Sequence, residues 1–250
     1  MRIRIWLERN KIFFETIAAV LLGIMAVILS VQSNNISTQT NKIINYQTEI
    51  MRTEHLPILH LEVELVYDTL KEFFANDKLV ISNVGAPLSE FSCRNVEFFE
   101  ANYGKLGDMK IASIPLNAYY GVTMITNKPT GVLATLVNLH TSGGNNRKAF
   151  ETSRSFARFA EQRDAYGFAD IRRYVKVSFK DVFGETHDEF YLANSFGANK
   201  LSDAVGMKIF EDYESKFENS LFIEFSKVTP ELLYAKWLMI TQEFDKKQRK

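Results

Sequence analysis

Between Ile12 and Val31 the chain reads IFFETIAAVLLGIMAVILSV, and from Ile17 to Leu29 every residue is apolar or glycine. At about 1.5 Å rise per residue such a helix covers roughly 30 Å, the hydrocarbon thickness of a bilayer. Leu, Ile, Val and Phe each favour insertion by about 0.3 to 0.6 kcal/mol, whereas a carboxylate at the centre costs about 2.5 to 3.5. Glu15 is the one charge in the run and falls in its first turn, within reach of the headgroups. The expectation is a single transmembrane helix over 12–31. A cleaved signal peptide shares the basic start and a short apolar run, with Val31-Gln32-Ser33 as a poor cleavage point. A core helix fits less well, because Leu, Ile and Val occupy all faces.

Charge orients the span. Arg2, Arg4, Arg9 and Lys11 precede it, and the next cation is Lys42. Lys and Arg collect on cytoplasmic flanks, so residues 1–11 form a cytoplasmic stub and the bulk lies outside. Trp6 suits the interfacial aromatic belt. Over the whole chain the balance is even, with 30 basic and 30 acidic residues. That charge carries no footprint for nucleic acid. Cys93 is the single cysteine, so neither an internal disulfide nor a multi-cysteine zinc site can form, and residues 56–250 must hold together by core burial.

Residues 32–55 are polar, lack Gly and Pro, and place Ile36, Ile43 and Ile50 seven apart, with Ile44 and Met51 alongside. A helical stalk with a short heptad seam follows, able to pair with another copy. From Pro57 the period becomes two. Leu59, Leu61, Val63, Leu65 and Tyr67 alternate with His60, Glu62, Glu64 and Asp68, the pattern of a half-buried strand. Further strands are expected over 79–83, 89–100, 109–114, 122–126 and 132–139, punctuated by Gly85, Pro87, Pro115, Gly121, Pro129 and Gly131. In the third of these, Phe91 and Cys93 have a parity that Val96 and Phe98 break, and a bulge near Arg94 and Asn95 would restore one apolar face. Helices are expected near 147–166 (face Ala149, Ser153, Phe156, Ala160), 202–218 (cap Ser202, face Ile209, Tyr213, Phe217) and 230–246 (cap Thr229, face Leu233, Trp237, Ile240, Phe244). Between the first two lies a hairpin, Ile171 to Ala193. A four-residue loop, Val182 to Glu185, would set Val177 against Phe190 and separate polar from apolar pairs. A last strand falls at 221–225. The fold class is therefore mainly β, a β-sandwich-like antiparallel domain with a few peripheral helices.

Chemistry is sparse. The sequence has no Gly-x-Ser-x-Gly, His-Glu-x-x-His, dinucleotide fingerprint or Cys-x-x-Cys, and Gly143-Gly144 lacks the Lys-Ser/Thr ending of a phosphate loop. His60, Glu62 and Glu64 share a strand face and are of ligand type for zinc or manganese. The same alternation is the ordinary solvated face of an antiparallel strand. Arg147, Arg154 and Arg158 form a stripe that suits an anion or, with Glu151 among them, a solvated helix face. No cofactor is implied and no named family emerges. The function expected is a membrane-anchored, non-catalytic β-domain that binds a protein or envelope component, as a sensor or accessory subunit. Its alternatives are a metal-dependent enzyme using His60, Glu62 and Glu64, a self-assembling membrane structural protein, and, with inverted topology, an internal sensor.

Overall fold

The protein is described here by a computed structural model covering residues 6, 8–70, 72–138, 144–194 and 197–248, without the side chains of 122 and 243–248. Of the described residues, 39% are in strands and 42% in helices. Two compact units divide it, Met1–His55 and Leu56–Lys250.

The described part of the first unit is dominated by the helix α1 (Lys11–Glu54), 44 residues long and with no buried residue. It is apolar and long enough to cross a membrane, a property that a signal sequence at this position shares. Nothing in residues 32–54 breaks it, since Gly and Pro are absent there. It stops at His55, just ahead of Leu56-Pro57, where the proline ring disfavours helical backbone in the residue before it.

The second unit contains two sheets. The first joins β1 (Leu59–Asp68), β2 (Phe73–Asn83), β6 (Gly131–Val137) and β5 (Val122–Ile125), in that spatial order and antiparallel throughout. The second orders β10 (Ile223–Glu224), β4 (Asp108–Asn117), β3 (Ser89–Lys105), β7 (Tyr166–Lys180), β8 (Thr186–Asn194) and β9 (Gly197–Leu201). Only the β10–β4 pairing in it is parallel. Leu61, Val63, Leu79 and Ile81 of the first sheet belong to one core cluster with Phe99, Ile114, Val175 and Val177 of the second.

Three helices complete the unit: α2 (Asn145–Glu161), α3 (Asp203–Glu218) and α4 (Pro230–Gln248). Two of them are not peripheral, contrary to the sequence-based expectation. Phe156 and Phe159 of α2, and Leu233 and Trp237 of α4, lie in the main core. On α2 the buried face is Thr152, Phe156, Phe159 and Ala160; Ser153 instead donates its hydroxyl to the Ala169 carbonyl at 2.5 Å. Ser202 takes the N-cap position of α3 without a side-chain bond, whereas Thr229 Oγ1 accepts the Leu232 N–H of α4 at 3.2 Å. A smaller cluster of Val96, Phe98, Phe190 and Phe210 sits beneath α3. Helix and sheet approach there so closely that a Cβ on Gly206 would lie 2.1 Å from Phe190 Cγ.

That second cluster corrects two expectations. β3 has no bulge at Arg94 and Asn95; its pairing with β7 runs evenly from Ser92 to Gly104 and is irregular only between Ser89 and Ser92. Val96 and Phe98 have their own apolar cover under α3, so no shift of parity is needed. In the β7–β8 hairpin Val177 pairs with Glu189, not Phe190, and the loop is one residue longer, 181–185. Segregation of polar from apolar pairs selects a register only where a hairpin buries one face. Phe190 is 3% exposed on the opposite face from Val175 and Val177, so both faces carry apolar residues and segregation cannot choose the register. Pro115 was expected to end β4 but lies inside it, opposite Phe98. β4 is an edge strand until β10 begins at Leu116, and edges tolerate proline. Arg2, Arg4, Leu139, the loop residues 141–143 and the side chain of Phe244 fall outside the described residues.

Candidate functional site

The inward-facing positions of β2 are Ala75, Asp77, Leu79, Ile81 and Asn83, so alternation drives a carboxylate into the core. Asp77 is 1% exposed. A buried charge has to be paired and hydrogen-bonded, and Asp77 is both. Arg173 Nη2 donates to Asp77 Oδ2 at 2.5 Å, and the Tyr119 hydroxyl donates to the same oxygen at 2.7 Å. Asn145 Nδ2 donates to Oδ1 at 2.6 Å, while its own Oδ1 accepts the Asp77 N–H at 2.9 Å. One carboxylate thus fastens β2, β7, the start of α2 and the turn after β4.

Beside this pair stands Glu97, opposite Arg173 in the β3–β7 register and 3% exposed. Burial pushes its carboxyl up to about 7 and the nearby Asp77 charge adds to the rise; the Asn95 amide, donating at 2.6 Å, and Arg173 oppose it. Burial, then the Asp77 charge, holds the Tyr119 hydroxyl well above its ordinary range. Among the described residues, Tyr120 Oη and Arg173 Nε are buried without a hydrogen-bond partner. This cluster joins a fixed ion pair to a carboxyl that gains and loses its proton near neutrality, and it is shielded from solvent.

On the surface, the start of β1, the end of β8 and the start of β9 border a cleft of about 600 Å³, within the size range of small-molecule sites. His60, Arg172, Tyr191, Asn194 and Asn199 are its polar wall. Arg172 Nε donates to Glu100 Oε2 at 2.6 Å; that bond raises the guanidinium above its ordinary value and anchors one edge of the fork. Arginine presents five N–H donors in a planar array, so the chemistry suits a carboxylate or another planar acceptor.

In the β7–β8 loop the ligand-type atoms of Asp181, Glu185 and His187 lie within 4.8 Å of one another. Asp181 Oδ1 accepts the N–H groups of Phe183 and Glu185 at 2.8 and 2.9 Å, and Oδ2 lies 2.8 Å from His187 Nε2. Burial raises the Asp181 carboxyl, but the bonds from His187 and the two backbone N–H groups outweigh it and hold the group below its ordinary range. The His187 ring stacks on Phe179 at 5.2 Å. This geometry is that of a loop stapled by a buried carboxylate.

The sequence-derived candidates are spread out. His60 Nε2 is 3.8 Å from Glu62 Oε2 on an exposed face, and Glu64 is paired with Lys78 at 2.7 Å. Those three do not form a converging ligand group among the described residues. Arg147 bonds Glu151 at 2.7 Å, while Arg154 and Arg158 are exposed on α2. Sequence reasoning passed over Asp77, Glu97 and Arg173. Strand parity would have found Asp77, which alternates with Ala75, Leu79 and Ile81. Comparison of the chain with protein-family models, curated proteins and solved structures returns no match.

Proposed function

We propose that the chain is a membrane-anchored, non-catalytic binding protein. In this reading α1 crosses the bilayer once over 12–31 with its N-terminus in the cytoplasm. The domain from Leu56 onward is a β-sandwich with helices, held outside, where it binds a protein or envelope component. The observation that carries the reading is the bare apolar half of α1: Ile12, Leu22, Val27 and Leu29 are each more than half exposed. Exposed apolar surface on that scale is unfavourable in water by roughly 25 cal/mol per Å² and costs nothing in hydrocarbon. Orientation rests on Arg9 and Lys11, with Arg2 and Arg4, against the absence of Lys and Arg from 12 to 41. The sandwich reading rests on the core shared by the two sheets. Binding rests on the His60–Arg172 cleft, and the non-catalytic role on the closure of Asp77 with Arg173 and of Asp181 with His187.

The test is protease accessibility in intact cells or spheroplasts carrying a tag at each end. External protease should remove the C-terminal tag and spare the N-terminal one. The reverse pattern would make the domain an internal sensor, and a soluble chain beginning near Asn34 would make the apolar segment a signal peptide.

A further inference from the structure

We propose that α1 pairs in parallel with α1 of a second copy of this chain, along a seam running through both its apolar and its polar halves. The inference rests on the membrane reading above, because the bilayer is what sets two helices side by side at one depth.

The seam is a heptad. Ile36, Ile43 and Ile50 stand out from a polar stretch at intervals of seven, and the same interval leads back to Leu29 and Leu22. Three residues after each of these positions come Met25, Gln32, Gln39 and Tyr46, and then Thr53. A repeat of 3.5 residues keeps one stripe facing a partner helix over many turns, which an isolated amphipathic helix does not need. Isoleucine at the first position of the heptad is compatible with a parallel pair. Gln32 and Gln39 meet their counterparts on the axis, where amide pairing fixes the register. None of the seam is covered within the chain: α1 has no buried residue. A helix that leaves three isoleucines bare in water is marginal by itself.

Area selects the occupant. In the polar half each chain offers three isoleucines and Tyr46, on the order of 400 Å², or roughly 800 Å² for a pair. A stable specific interface needs about 1,200 Å² or more. Glu49 and Glu54 also flank the seam and face each other across a parallel pair, opposing association in water. The polar half is therefore too small and too acidic to pair alone; Leu22, Met25 and Leu29 carry the same stripe into the bilayer, where close side-chain packing, not burial from water, adds to the contact. A partner must present the same stripe at the same depth in the same membrane. A second copy does so by construction.

The experiment uses the full chain in native membranes, with Cys93→Ala as background. Single cysteines are placed at Ile36, Ile43 or Ile50 on the seam, and at Asn41 or Thr48 on the opposite face. A disulfide needs Cβ atoms about 3.5 to 4.5 Å apart, so mild oxidation should crosslink the seam positions at least about tenfold faster than the controls. As a second measurement, the otherwise unaltered chain in detergent should have the mass of two chains. The triple variant Ile36→Asn, Ile43→Asn, Ile50→Asn, altered only in the helical unit, should have the mass of one. Equal crosslinking on both faces, or an unchanged mass in the triple variant, overturns the pairing. A full-length, membrane-bound chain without position-dependent crosslinking sinks the pairing and leaves the anchor standing. A soluble chain cut near Asn34 sinks both.

Discussion

Replacing Glu97 by glutamine tests the buried acid directly. Its carboxyl rises from 4.5 to about 7 on folding, chiefly through burial. A carboxyl with a raised folded value binds a proton more tightly in the native state, so stability is full below the unfolded value and declines as pH climbs through the folded one. At about 1.36 kcal/mol per tenfold change in affinity the whole effect is about 3 kcal/mol, most of it falling between pH 5 and pH 8.5. Groups facing Glu97 are Asp77 from β2, Arg173 from β7, Asn95 from its own strand and Tyr213 from α3. The assay is urea unfolding in a mild non-ionic detergent, followed by emission of the buried Trp237, for the unaltered chain and Glu97→Gln at both pH values. The difference between the two proteins should move by roughly 2 to 3 kcal/mol in favour of the glutamine at pH 8.5. Parallel pH curves for the two proteins would refute the reasoning.

Asp77→Ala leaves the Arg173 guanidinium buried without its anion and should cost about 3 to 5 kcal/mol in the same assay, while Asp77→Leu combined with Arg173→Met should recover most of it. Asn83 Oδ1 accepts the N–H groups of Ile58 and Gly85, and its Nδ2 donates to the carbonyls of Ala86 and Pro129. Asn83→Ala should therefore lower the urea midpoint by an amount equivalent to about 2 to 3 kcal/mol. Gly206→Ala drives a methyl into the Phe190 ring and should make residues 203–218 newly sensitive to limited proteolysis. Gly184→Ala, at φ +81 with nothing within 4 Å, should cost only about 1 to 2 kcal/mol from backbone strain and leave that pattern unchanged.

What could be read from the sequence follows from how many faces each strand buries. β1 was legible as far as Val63, because Leu61 and Val63 go inward while His60 and Glu62 face water; Leu65 and Tyr67, expected on the same buried face, are exposed beside a register shift at Val66. Around Val96–Phe99 and Phe190–Tyr191 the alternation is lost, because one face meets the main core and the other meets α3. The bulge and the hairpin register were inferred from alternation, and they failed at those places. Asp77, Glu97 and Arg173 were hidden for a related reason. A charged residue in a strand reads as solvent-facing until its parity is compared with its neighbours, and its partners are 20 and 96 positions away from Asp77. The cleft joins residues from β1, β7, β8 and β9, which no local pattern links.

The central position of β3 has a consequence for the order in which the chain is made. Phe99 pairs with Ile114 on one side and with Ile171 on the other. By the time residue 137 has left the ribosome, every strand of the first sheet and the β3–β4 hairpin exist. The other edge of β3 then waits for β7, and Val96 and Phe98 wait longer still for α3 to cover them. During that interval the nascent chain carries an open strand edge beside adjacent aromatic residues, a template for pairing with other chains. Slow elongation over 138–180 would prolong this exposure, and a holding chaperone acting there would raise the yield of folded protein.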